Sequence, residues 1–305
     1  MPLTETRPKP MLKVANKTIL EHNLGVVKSF VDEIILVVGY KKEMIIDAFG
    51  DEYKGIKISY IEQKEQKGTG HALLQAKDML FGKDTSKNRK VIVLNGDCIY
   101  SEKDIERCIV YNYAILGAEV KNPENYGVLE YENYDEKEGT GVLKNINEKP
   151  SNPTELKSNL INAGLYVLDE GIFDILSSLK PSLRGEIELT DAIVKLAKTE
   201  EVKCVTSKEG WLTLTFPWDL LEANEFLLKK LEISINYNES KHNLGTVERY
   251  ATLKDAVFIN KGTLVKNGAY IEGPVMIGKN CVIGPNCYIR PYTTIGDNCK
   301  IGNAV

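Results

Sequence analysis

Hydrophobic positions recur at two different periods along this chain, and the change from one to the other divides it. From Ile34 to Val110, short β-branched runs alternate with segments spaced for helices. Ile34–Val38, closed by Gly39, reads as a buried strand. Lys42–Phe49 reads as a helix, Ile56–Ile61 as a second strand, and His71–Leu80 as a helix with Ala72, Ala76 and Leu80 on one face. Val91–Leu94 is a third strand running into Asn95-Gly96-Asp97. Ser101–Val110 follows as a helix with Ser101 at its N-cap and Asp104 completing a partial capping box. Alternation of this kind predicts a parallel sheet with helices on both faces. Ligands of such sheets sit at the carboxyl ends of the strands, where Asp97 falls. The middle of the chain is richer in strands: Ala114–Val120, Tyr126–Tyr131, Val142–Asn147 and Leu160–Leu168. Helices are expected over Glu186–Lys198 and Pro217–Leu231, and Ile233–Asn243 reads as a linker.

From Val247 the period becomes six. Val247, Leu253, Ile259, Val265, Ile271, Ile277, Ile283, Ile289, Ile295 and Ile301 fall in one register, and Gly follows four of them. With roughly a quarter of positions Val, Leu or Ile, chance would produce ten in register on the order of once in a million. This is the hexapeptide repeat of a parallel β-helix, and it resembles the left-handed, three-sided type. One coil takes three hexads, so about three coils fit before Val305. The expected organisation is an α/β, Rossmann-like domain over 1–232, a linker over 233–246 and a partial left-handed parallel β-helix over 247–305.

Composition narrows the partners. The chain has 305 residues, 43% hydrophobic and 27% charged, with a formal net charge of −4. That is ordinary globular composition with room for two domains, and it gives no reason to expect nucleic acid as a partner. The longest apolar runs are too short to cross a bilayer, and no basic-then-apolar leader is present. The six Cys form no C-x-x-C pair, so reduced thiols and a cytoplasmic location are expected.

Four stretches carry candidate chemistry. Pro2–Leu12 is a Pro-rich loop that holds Lys9 between two prolines, which push it toward an extended conformation and make it a stiff point charge for an anion. Gln63–Ala72 contains Gln63, Gln66, Gly68 and Thr69; its glycines permit close backbone approach to a flat ligand, and Gln63 can both donate to and accept from a base edge. Gly96-Asp97 ends a buried strand. Tyr126-Gly127-Val128, Glu148-Lys149-Pro150, Asn162-Ala163-Gly164 and Glu188-Leu189-Thr190-Asp191 follow in order. Taken singly, each also fits a plainer role: a solvated tail, a turn with a helix cap, a surface charge.

Taken in order, they resemble the sugar-1-phosphate nucleotidylyltransferases, closest to the archaeal-type proteins that join a uridyltransferase domain to a β-helical acetyltransferase domain. The resemblance runs from Pro2 to Val305. It implies an enzyme that forms a nucleotide-sugar and pyrophosphate from a nucleoside triphosphate, UTP favoured, and a sugar 1-phosphate, N-acetylglucosamine 1-phosphate favoured. It implies Lys9 and Asp97 as catalytic residues, with Asp97 holding Mg²⁺ and Lys9 on the triphosphate. Gln63, Gln66, Gly68 and Thr69 would seat the base. Gly127, Glu148 and Asn162 would contact the sugar, and Lys149 its phosphate. A homotrimer through the β-helix is implied as well. Two departures from the pattern stand out. PLTETRPKPML matches only the second half of the family's nucleotide signature, so a strand and glycine loop ahead of it are expected to be missing. A central slot in the sheet should then be open, and the chain should be shortened at both ends. Thr213 stands where many members carry a further metal-binding Asp. A catalytically impaired binding or regulatory homologue, or a glucose-1-phosphate thymidylyl- or uridylyltransferase, therefore remain open. Acyl transfer is not expected, because the family's acetyl-transfer site lies in later coils.

Overall fold

The computed structural model describes residues 2–82, 89–150, 156, 158–182, 184–234 and 243–305. In chain order, a short hairpin of β1 (Lys13–Val14) and β2 (Lys17–Thr18) leads to α1 (Ile19–Val27), β3 (Glu33–Val38) and α2 (Lys42–Phe49). β4 (Glu52–Tyr53), β5 (Ile56–Glu62), α3 (Thr69–Gln75), α4 (Lys77–Phe81), β6 (Val91–Leu94), β7 (Cys98–Ile99) and α5 (Glu102–Ile109) follow. Then come β8 (Ala114–Glu119), β9 (Gly127–Asp135), β10 (Thr140–Glu148), β11 (Leu160–Leu168), α6 (Gly171–Ser177), α7 (Leu189–Leu196), β12 (Lys203–Thr206), β13 (Leu212–Thr213) and α8 (Asp219–Ser234). Ten short strands, from β14 (Thr246–Val247) to β23 (Lys300–Ile301), complete the described chain. The expected helix over His71–Leu80 is two helices that meet at Ala76. That over Glu186–Lys198 is shorter, because Ile187 is committed to backbone bonds with Lys67, Gly70 and His71, and Glu186 O accepts from Ser182 N. Ser101 caps α5 as expected, its Oγ accepting from Asp104 N at 3.1 Å.

These elements form two compact units, one of Thr4–Met11 and Leu20–Thr213, the other including Leu12–Ile19 and Leu214–Val305. The boundary expected near residue 232 is therefore displaced: α8 and the β1–β2 hairpin belong with the hexad repeats. Asn224 of α8 supplies the reason. Its Oδ1 accepts from Ala15 N and Thr294 Oγ1, both at 3.0 Å, and its Nδ2 donates to Tyr292 O at 2.8 Å. Asn16 Nδ2 donates to Ile295 O at 2.8 Å. No local sequence period reports such long-range bonds.

The first unit contains a six-stranded sheet of order β6-β11-β8-β12-β10-β9 and a separate three-stranded sheet of order β3-β5-β4. The parallel sheet expected from the alternation is found only in part: β3–β5 and β12–β8 are parallel, while β11 runs antiparallel to β6 and β8 and β10 antiparallel to β9 and β12. The middle strands follow one another too closely for helical crossovers, so they pair as antiparallel neighbours.

The expected slot lies between β3 and β6. Among the described residues the two strands share no backbone pairing. A cavity of about 950 Å³ touches every residue of Glu33–Val38 and of Val91–Leu94. Successive side chains of a strand point to opposite faces, so a cavity that meets all of them runs along the strand edges. Burial agrees: all four residues of β6 are only partly buried, whereas β8 and β11 are buried almost throughout. One end of the slot reaches Pro10, Asn95 and Gly96, beside Asp97.

The hexads close into three parallel sheets whose neighbours are eighteen residues apart, as in Thr246↔Leu264, Leu253↔Ile271 and Ile259↔Ile277. Three hexads thus make one coil. Ile259, Val265, Ile271, Ile277 and Ile283 stack in the interior at 1% exposure or less. A second signal sits three residues after the aliphatic position. Tyr250, Gly262, Gly268, Asn280, Asn286, Tyr292, Asn298 and Ala304 all have positive φ, six residues or a multiple apart. The chain turns its corners there, and Gly and Asn are the residues that tolerate that backbone.

Candidate active site

Lys9 and Asp97 meet: Nζ lies 2.8 Å from Oδ2, with both side chains partly exposed. Lys9 does not occupy the extended arm expected from its two prolines. It lies in a 3-10 turn, Lys9–Met11, closed by Met11 N bonding to Pro8 O at 2.9 Å, and that turn carries the ammonium to Asp97. Upstream, Glu5 O accepts from Tyr40 Oη at 2.7 Å and Lys41 Nζ at 2.6 Å, which fastens the loop to the end of β3.

Asp97 stands just past β6, as expected. Its loop is fixed from beneath. Asn95 N donates to Gly164 O at 2.9 Å, and Tyr100 Oη lies 2.9 Å from Gly164 O, 3.0 Å from Ala163 O and 3.2 Å from Asn95 N. Gly164 has φ +75°, and a Cβ there would overlap the Asn95 side chain, so the Asn-Ala-Gly motif requires its glycine on two counts. Beside Asp97, the Cys98 thiol is pushed up to about 12, by burial first and by the Asp97 charge second. It stays protonated near neutrality and offers no thiolate. Thr213 pairs with Cys98 across the β13–β7 ladder. Thr213, where the resemblance led to the expectation of a second carboxylate, therefore lies across the ladder from the neighbour of Asp97 and carries a neutral hydroxyl. Among the described residues no three His, Cys, Asp or Glu side chains group as a metal cage.

The Gln63–Ala72 loop docks on the segment before α7. Ile187 O accepts from Gly70 N at 2.9 Å and His71 N at 3.2 Å, and Ile187 N donates to Lys67 O at 2.8 Å. A Cβ at Gly68 would sit 2.6 Å from Ile187 O, and Gly68 has φ +97°, so its glycine serves backbone docking. Thr69 Oγ1 accepts from Leu189 N at 3.1 Å and caps the first turn of α7. Gln63 Nε2 lies 3.1 Å from both Gly68 O and His71 Nδ1. Gln66 is exposed, its Nε2 near the end of β3 at Gly39.

The sugar residues named from the sequence are brought together by register. Glu148 pairs with Gly127 across β10–β9, and Ile161 pairs with Val128, which sets Asn162 beside Gly127. A Cβ at Gly127 would lie 2.8 Å from Glu148 Oε1. Glu148 keeps an exposed edge, yet loss of solvent on its inner side, and secondarily the Glu188 charge, raise its pKa. Lys149 has φ +44°, a left-handed backbone rare for a residue with a side chain and rarer before proline, and it is anchored by Lys149 N bonding to Tyr126 O at 3.0 Å. Local strain of this sort concentrates at functional positions. The Asn162 amide is engaged internally, Oδ1 accepting from Gly164 N at 2.9 Å and Nδ2 donating to buried Tyr166 Oη at 2.7 Å. Asn162, Gly164 and Asn95 thus form one bonded path, which starts beside Gly127 and ends two residues before Asp97. Sequence reasoning missed Asn95, Tyr100 and Tyr166, since only the sheet places them under the site.

The chain matches the nucleotidyl transferase family over residues 1–230 and the bacterial transferase hexapeptide repeat over 256–291 and 274–305. It is 44% identical over 303 residues to the bifunctional protein GlmU of Methanocaldococcus jannaschii, covering 99% of this chain and 67% of that protein. It is 38% identical over 308 residues to a bifunctional sugar-1-phosphate nucleotidylyltransferase/acetyltransferase of Sulfurisphaera tokodaii, covering 69% of the latter. The GlmU of Methanococcus maripaludis is covered over 58% of its length, so the chain spans about three fifths to two thirds of such relatives. A crystal structure of UDP-glucose pyrophosphorylase with UDP-glucose superposes with a TM-score of 0.64 at 26% identity, over 75% of this chain and 94% of that one. A motif order carried through two thirds of the sequence, a site assembled from those motifs and the extent of these matches agree: the chain belongs to the nucleotidyl transferase family, among the sugar-1-phosphate nucleotidylyltransferases that carry hexapeptide repeats.

Proposed function

We propose that this chain transfers a nucleotidyl group from UTP to N-acetylglucosamine 1-phosphate. A phosphate oxygen of the sugar phosphate attacks the α-phosphorus, the bond between the α-phosphorus and its bridging oxygen breaks, and pyrophosphate leaves. The observation that carries the reading is the Lys9–Asp97 pair at the end of β6, with the bonded residues Asn95, Gly164 and Asn162 lying between it and the Gly127–Glu148 register pair. Such chemistry depends on positioning and charge neutralisation. Lys9 exchanges its carboxylate partner for the triphosphate, Lys149 takes the sugar phosphate, and Glu148 and Gly127 hold the sugar. The donor set at Asp97 fits one Mg²⁺, since that ion is commonly held by one or two carboxylates plus substrate phosphates. When bound, it supplies positive charge to the phosphate oxygens. Glucose 1-phosphate is the competing acceptor, because relatives of this fold include one named UTP–glucose-1-phosphate uridylyltransferase from Haloferax volcanii, 35% identical over 236 residues.

The deciding assay is pyrophosphate release from UTP or dTTP with each sugar 1-phosphate, run with and without Mg²⁺. Turnover with UTP and N-acetylglucosamine 1-phosphate supports the reading; release with another pair at higher efficiency corrects the substrate. Thr213 beside Cys98 favours a second reading, a homologue that binds nucleotide without turning it over. Nucleotide binding without pyrophosphate release would select it. The stacked hexads also support assembly through the β-helix as a homotrimer, because cyclic closure covers the prism faces. Light scattering at micromolar concentration should return three chain masses; a monomer mass counts against it. Among the described residues no helix is long and apolar enough to cross a membrane.

A further inference from the structure

A second constellation lies between α6, α7 and β10, and the site above does not use it. On α7, Asp191, Val194 and Lys195 stand at i, i+3 and i+4, which puts them on one face, while Ala192, Ile193 and Leu196 are buried in the core. That outer face, together with Asn145 and Ile146 of β10 and Lys180 just past α6, lines a cavity of about 470 Å³, a size usual for small-molecule sites. Its charges are unspent. Asp191 precedes Lys195 by four residues, the order and spacing that favour an ion pair on a helix. Among the described residues, neither side chain makes an ion pair or hydrogen bond, and neither does that of Lys180. By contrast, Lys144 on β10 and Lys203 on β12 pair with Glu132 and Glu201. Asn145 Nδ2 donates to Asn147 Oδ1 at 2.9 Å, which leaves Asn145 Oδ1 as an acceptor.

We infer that this cavity is a second, non-catalytic site for a sugar phosphate, and that its occupant bears on the sugar cluster through Ile146. Two ammonium groups suit a phosphate, whose charge they neutralise. The Asp191 carboxylate repels a phosphate, so its partners are donors, and the hydroxyls of a sugar supply them. Asn145 Oδ1 is a further acceptor for a hydroxyl, and Val194 and Ile146 offer apolar surface to the C–H face of the ring. Ile146 is buried and lines the cavity, and its Cγ2 lies 3.1 Å from where a Cβ on Gly127 would stand. Glu148, two residues on, projects from the same face of β10. Ile146 is therefore a wall shared by the cavity and the Gly127–Glu148 cluster. The binding stands on the cavity alone; the coupling rests on the reading of Gly127 and Glu148 as sugar contacts.

The test reads the two lysines directly on the whole chain. Acylation by acetic anhydride is followed at each lysine by mass spectrometry, with N-acetylglucosamine 1-phosphate or inorganic phosphate titrated over the same range. The sugar phosphate should slow the reaction of Lys180 and Lys195 along one common curve and leave exposed Lys198 unchanged. K195Q should weaken the protection of Lys180 about tenfold, the scale of one charge-assisted hydrogen bond, and K195R should retain it. No protection, or different midpoints at the two lysines, overturns the site. Equal protection by inorganic phosphate overturns its sugar chemistry. E148Q, which weakens the sugar cluster, should leave the protection intact; its loss there would place the binding at the catalytic site and overturn the inference. Coupling is read from the carbon-13 methyl resonances of Ile146, assigned by their change in I146V. They should shift along the protection curve, in E148Q as in the wild type, and an unmoved Ile146 overturns the coupling. Protection and shift without pyrophosphate release support this site and count against the proposed reaction.

Discussion

The two units of this chain treat strand edges in opposite ways. In the coil, each strand away from the ends pairs on both sides with strands eighteen residues before and after it. The interior is a continuous column of aliphatic side chains. In the nucleotidyl transferase unit, β3 and β6 turn facing edges to a slot of about 950 Å³. An unpaired edge leaves N–H and C=O groups without partners and apolar side chains in contact with water. The comparison teaches that completeness is local. A one-dimensional repeat is sound wherever neighbouring coils are present, while a doubly wound sheet depends on a single central strand.

The largest expected effect comes from filling the slot. A version extended at its N terminus by an apolar strand of about six residues and a glycine loop should melt about 10 °C higher, at 2–4 °C per kcal/mol for a unit of this size. Its pyrophosphate release should rise by about a hundredfold or more, the scale on which phosphate- or oxyanion-binding donors act. Amide exchange at Val91–Leu94 should slow in parallel. A short chain that is as active, and melts as high, would break the comparison at its centre.

Core truncation in the two regions sharpens it further. Ile277 is fully buried in the coil, and Ile277→Ala should cost about 3 kcal/mol in its unit's unfolding, the usual range for a buried Ile to Ala change. Ile92 in β6 is only partly buried, so Ile92→Ala should cost about 1 kcal/mol, in proportion to the apolar area it keeps from water. Urea melts that rank the two in the reverse order would show that the slot is not open in solution.

Asp97→Asn removes the charge that pairs with Lys9 while leaving shape nearly unchanged. A fall in kcat of about a hundredfold, some 2.7 kcal/mol, is expected from loss of metal and phosphate charge stabilisation. Unchanged steady-state turnover would remove Asp97 from the mechanism.

The smallest effect concerns Glu148. Its pKa is raised above the ordinary 4.5 by lost solvation, so the folded state keeps this proton in a window where the unfolded chain has released it. Its contribution is complete below 4.5 and is lost as pH rises through the raised value. Glu148→Gln should flatten that part of the stability–pH curve and weaken binding of sugar 1-phosphate. Parallel pH–stability curves for the two proteins would contradict the shift.

Much of this was legible in the residues themselves. Ten aliphatics at a spacing of six dictate eighteen-residue coils, because side-chain direction repeats with the strand and the corner. Val91–Leu94 followed by Asn95-Gly96-Asp97 placed Asp97 at the end of a strand, and the order of the later motifs pointed to one site. Tertiary structure decided what no local period encodes. Lys9, bounded by two prolines, reads as extended, but the Met11 to Pro8 bond and Asp97 hold it in a turn. Gly68 and Thr69 read as base contacts, and the fold also uses them to dock and cap the segment leading into α7. The hairpin at Lys13–Thr18 and the α8 helix join the coil through the Asn224 amide, a bond over some two hundred residues that no neighbouring side chain announces. Periodicity reports the face a residue turns to its own element's core; pairing between elements depends on distances in space that sequence spacing does not contain.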